Sequence, residues 1–126
     1  AKEECYFKEL EKRNNWKNPD RYIYNINEKG EPLPNDSVFF NKNYAYSFGV
    51  DIEDSTTFFS LPANTEDTIA LYLYNHVVDR TPQLRRIEII FNYEEDLDER
   101  ASIGHSRTEE YAVRGKRLVK LKHDME

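Results

Sequence analysis

Between Tyr44 and Ile52 the chain alternates without a fault. Tyr44, Tyr46, Phe48, Val50 and Ile52 are separated by Ala45, Ser47, Gly49 and Asp51. A period of two sends every large apolar side chain to one face of a strand, so the chain must build a sheet with a buried side. The small residues opposite leave room for another surface or backbone to approach. The same period recurs along the chain. Tyr22, Tyr24 and Ile26 alternate with Ile23, Asn25 and Asn27. In Thr68 to Tyr74, Ile69, Leu71 and Leu73 oppose Ala70, Tyr72 and Tyr74. In Leu84 to Tyr93, Ile87, Ile89, Phe91 and Tyr93 oppose Arg86, Glu88 and Asn92, with Ile90 the exception.

Shorter candidate strands are Ser37 to Asn41, Thr56 to Leu61, and a last pair, Tyr111 to Val113 and Leu118 to Leu121, joined through Gly115. One helix is expected, over Glu3 to Asn14, with Cys5, Tyr6, Phe7 and Leu10 near one side; Pro19 then punctuates the chain. No helical pattern is read between the strands, and parallel strands need crossovers. The expectation is therefore an all-β domain: an antiparallel β-sandwich, Ig-like or similar, of about seven or eight strands. Residues 1–20 form an N-terminal helix or extension, and 21–126 form the single β domain. Its core should hold Tyr46, Phe48, Val50, Ile69, Leu71, Leu73, Ile87, Ile89 and Phe91.

Composition tests whether such a core exists. Charged residues reach 33% and apolar ones only 38%, with a mean hydropathy of −0.89. That balance borders on disorder, but 9 Tyr, 7 Phe and 1 Trp are far more aromatic surface than a disordered chain carries. No run approaches the roughly 20 apolar residues of a membrane helix.

The motifs of familiar chemistry are missing. Gly30, Gly49, Gly104 and Gly115 are scattered, whereas phosphate-cradling loops need clustered glycines. His76, His105 and His123 have no paired metal-ligand spacing, and Cys5 is the one cysteine. Carboxylates are plentiful in Asp51, Glu53 and Asp54 and again in Glu94, Glu95, Asp96, Asp98 and Glu99, oxygens of the kind calcium takes, yet the helical calcium loop is excluded by its missing glycine. No cofactor, metal or catalytic residue is assigned, and the chain is read as a non-enzyme.

Charge and aromatics speak to partners. The net charge of −6 opposes nucleic acid, which needs a basic footprint. The charge is uneven: five acids fall within 94–99, and 114–122 carries Arg114, Lys116, Arg117, Lys120 and Lys122 without an acid. Tyrosines on both sides of strands offer rigid contact area. Tyr22, Tyr24, Tyr72 and Tyr74 are the candidate binding residues, and a protein or glycan is the expected partner.

Ser55-Thr56-Thr57-Phe58-Phe59-Ser60-Leu61-Pro62-Ala63-Asn64-Thr65-Glu66-Asp67-Thr68, running into Leu71-Tyr72-Leu73-Tyr74, resembles a segment of small β-rich lipoproteins from Bacteroides-type bacteria. In those a Ser-Leu-Pro turn feeds an Asp-Thr-led strand. The resemblance implies an extracytoplasmic, lipid-anchored domain, at the periplasm or cell surface, without known catalysis; its anchor would lie outside these 126 residues. Two functions follow as expectations. The first is a non-enzymatic binding module of that extracytoplasmic kind. The alternative is a cytoplasmic acidic inhibitor or immunity protein that covers a basic partner, where charge complementarity would speed association.

Overall fold

The alternating segment forms β2 (Tyr44–Ile52), whose apolar face is fully buried. The computed structural model describes residues 2–34 and 37–122; Asn35, Asp36 and His123 lie outside the described residues. β1 (Lys17–Asn25) runs antiparallel to β2, with Ile23 opposite Tyr46 and Tyr24 opposite Ala45. β3 (Leu84–Asp96) lies on the other side of β2 and runs parallel to it, Phe48 pairing with Ile89 and Ile52 with Tyr93. β4 (Ser102–Arg114) and β5 (Arg117–Lys120) follow as antiparallel hairpins, giving among the described residues one five-stranded sheet in the order β1-β2-β3-β4-β5.

This corrects the expected sandwich. The sheet is single and mixed, and its second layer is helical. Helix α1 (Lys2–Asn14) buries Tyr6 and Leu10, four residues apart on one face, and leaves Cys5 exposed. The two segments expected as strands at 56–61 and 68–74 are helices instead. Asp54 caps α2 (Ser55–Phe59), accepting hydrogen bonds at 2.8 Å from the Thr57 backbone N–H and from its hydroxyl. Glu66 and Asp67 occupy the first turn of α3 (Thr65–Tyr72), where acids suit the helix dipole. A π turn over Leu73–Val77 continues it.

Two periods compete in this stretch. Ile69, Leu71 and Leu73 fit a period of two. Ile69, Ala70, Leu73, Tyr74 and Val77 fit the helical one. The helical period wins, so Ile69, Ala70, Leu73 and Tyr74 enter the core while Leu71, expected there, stays half exposed. These helices supply the crossover that lets β3 return parallel to β2.

The helices of the described residues pack on one face, over Phe48, Val50, Ile87, Ile89 and Phe91. Arg107 on β4 ties that layer down. Its guanidinium meets Glu66 in a fork (2.9 and 2.6 Å) and donates to the Leu61 and Pro62 carbonyls at 2.8 and 2.9 Å.

Two further expectations change. No strand forms at 37–41: the Asn25 side-chain amide exchanges two 2.8 Å hydrogen bonds with the Phe39 backbone and holds that stretch as a loop. Pro19 does not close the chain before the sheet. It lies inside β1, where the register shifts between Lys17 and Asp20 and Asn18 takes a positive φ, an irregularity that an edge strand tolerates. Among the described residues no helix is long and apolar enough to cross a membrane.

Candidate interaction surfaces

The four tyrosines singled out by sequence do not share a surface. Tyr22 and Tyr24, two residues apart on β1, stack at 5.7 Å on the face away from the helices, with Tyr22 68% exposed. Tyr72 lies on the outer side of α3, stacked on Tyr6 at 4.2 Å. Tyr74 is buried in the core beneath the Arg80 guanidinium.

The face bearing Tyr24 carries a polar cluster. The register sets Ser47 beside Glu88 and Glu88 beside Glu110. Ser47 donates to Glu88 at 2.8 Å, and Arg86 approaches Glu110 at 3.5 Å. Burial lifts the Glu88 carboxyl above the ordinary carboxylate range, and the facing Glu110 adds to the lift. Burial and the same carboxylates push Tyr24 up to about 12. The turn at 27–30 sits against this cluster; a Cβ on Gly30 (φ 83°) would fall 2.5 Å from the Arg86 guanidinium.

The larger feature is a separation of charge along the strands. Because β2 and β3 are parallel and Ile52 pairs with Tyr93, both acidic clusters emerge at one end of the sheet. Asp51, Glu53 and Asp54 leave β2 there, and Glu94, Glu95 and Asp96 leave β3, with Asp98 and Glu99 in the hairpin beyond. An antiparallel pair would have sent the two clusters to opposite ends. A shallow cleft of about 650 Å³ opens there, lined by Asp51, Glu53 and Glu94 with Asn92, Gly104 and Ser106. Among the described residues, no three His, Cys, Asp or Glu side chains are grouped to hold a metal ion.

The same end exposes apolar side chains. Phe59, Leu97 and Ile103 are all large and solvent-facing. Phe59 leans edge-on against His105 at 5.3 Å and Tyr93 at 6.0 Å, above the buried ring of Phe58. His105 stacks on Tyr93 and faces Glu95 at 3.6 Å.

The opposite end is basic. Lys42 precedes β2, Arg80 and Arg85 flank the start of β3, and Arg114, Lys116 and Arg117 surround the turn between β4 and β5. Sequence reasoning saw the acidic clusters and the basic run at 114–122 but neither Lys42, Arg80 and Arg85 nor the arrangement of them all, since strand direction is not written in a local pattern. No protein-family model, curated protein or solved structure matches this chain.

Proposed function

We propose that this chain is a non-enzymatic binding module that docks a basic protein partner through the acidic end of its sheet. The supporting observation is the parallel register of β2 and β3, which joins two acidic clusters around the exposed Phe59, Leu97 and Ile103. Apolar anchors inside a charged rim are the usual anatomy of a protein interface: the anchors hold the complex, and the rim sets partner choice and association rate. Of the two functions expected from sequence, this is closer to the acidic inhibitor or immunity protein.

The stacked Tyr22–Tyr24 pair supports a second reading, in which a protein or glycan lies along the face of β1. One experiment separates the two. A partner identified by cross-linking in the source cell is titrated against two variants. Reversing Asp96, Asp98 and Glu99 to Lys should weaken binding at least about tenfold and flatten its salt dependence. The Tyr22→Ala/Tyr24→Ala variant should bind as the parent does. The opposite pattern moves the interface to β1.

A further inference from the structure

The basic end contains a pocket that the proposed function leaves unused. It encloses about 660 Å³, within the range of small-molecule sites. Its floor is apolar: the Tyr74 ring, Leu84 and Val113. Its rim carries Arg80, Arg85 and Lys116, and among the described residues no carboxylate lines it. Among the described residues none of these three cations has a carboxylate partner.

The cations are also positioned. Arg80 is held over the Tyr74 ring at 5.2 Å. Arg85 donates through Nε to Asn43 at 3.3 Å, leaving the outer nitrogens of its fork open. Between them the Thr81 hydroxyl shares a 3.2 Å hydrogen bond with Tyr44, which fixes it at the pocket wall. Guanidinium forks beside an apolar floor match a ligand with an anionic head and an apolar body.

We infer that this pocket binds a small organic anion, a carboxylate or phosphate carried on an apolar or aromatic group. The head meets Arg80, Arg85 and Lys116, and the body covers Tyr74, Leu84 and Val113. The site lies at the far end of the sheet from the protein-docking surface, so either reading can fail without the other.

The test is amide chemical-shift titration of the intact chain with phenylacetate and phenyl phosphate, which distinguish the two head groups. Inorganic phosphate and benzyl alcohol supply the head and the body alone. One or both aromatic anions should shift Thr81, Gly115 and Lys116, and bind at least about tenfold more tightly than either fragment. Arg85→Gln/Lys116→Gln, both at exposed positions, should lose about tenfold or more of that affinity with an unchanged melting temperature. Lys8→Gln, which removes an exposed charge on α1, should lose none.

Four results overturn the inference: no binding by about 10 mM of either anion, equal binding of inorganic phosphate, equal binding of benzyl alcohol, or shifts mapping elsewhere. Sedimentation of the same samples adds a fifth. Self-association that Arg85→Gln/Lys116→Gln abolishes would give the pocket to the acidic hairpin of a second copy.

Discussion

Glu88 shows how a single residue carries an electrostatic cost. It is half-buried in mid-sheet, accepts from Ser47 and faces Glu110 across the ladder. Its carboxyl is raised above the ordinary range, chiefly by burial. The folded state therefore holds this proton more tightly than the unfolded chain does. The contribution to stability is full below the unfolded pKa and is lost as pH rises through the folded one. Glu88→Gln keeps an acceptor for Ser47 and removes the charge. It should stabilise the protein at neutral pH by roughly 0.5 kcal/mol, allowing for partial exposure, and by nothing at about pH 4. Urea denaturation at the two pH values measures this; an equal gain at both would mean that the charge is not the cause.

At the scale of elements, β2 was legible to the residue because its alternation admits one period only. The segment 65–77 was not. Its apolar residues satisfy both periods, and Ile69 and Leu73 are buried under either. The signal that favoured helix there was polar, Glu66-Asp67 in a first turn, just as Asp54 ahead of Thr57 marked the preceding helix α2. Leu71 and Leu73 separate the outcomes, since a strand places them on the same face and the helix does not. Leu73→Ala should cost about 2–4 kcal/mol, because Leu73 is fully buried. Leu71→Ala should stay within about 0.5 kcal/mol, because that side chain is 51% exposed. Equal losses in thermal or urea denaturation would restore the strand.

In the whole molecule, the helical layer and the outer half of the sheet meet at Arg107 and Glu66. Glu66 is 2% exposed, and its two oxygens are both taken by the guanidinium. Removing one partner leaves the other charge stranded, so Arg107→Ala should cost about 3–5 kcal/mol. Replacing both, as Glu66→Met/Arg107→Leu, should recover most of that, since a buried pair exchanged for apolar groups is close to neutral. Denaturation of the single and double variants tests this; a double variant no more stable than Arg107→Ala would show that the hydrogen bonds to Leu61 and Pro62 matter more than the charge pair.

The amino-acid sequence alone determined what depends on neighbours in the chain. The N-terminal helix, the strand at Tyr44–Ile52, the apolar face of β3 and the hairpin turn at Gly115 are all set by local periodicity and turn chemistry. Only the tertiary structure decided which period residues 65–77 follow, because a chain with apolar residues fitting both is settled by the surface it packs against. It also decided that β3 lies parallel to β2. That choice rests on a 31-residue connection folding as helices over the sheet, a long-range contact that no local pattern encodes. From it come the charge separation, the acidic end and the basic pocket. The residues were visible in the sequence, but their meeting was not.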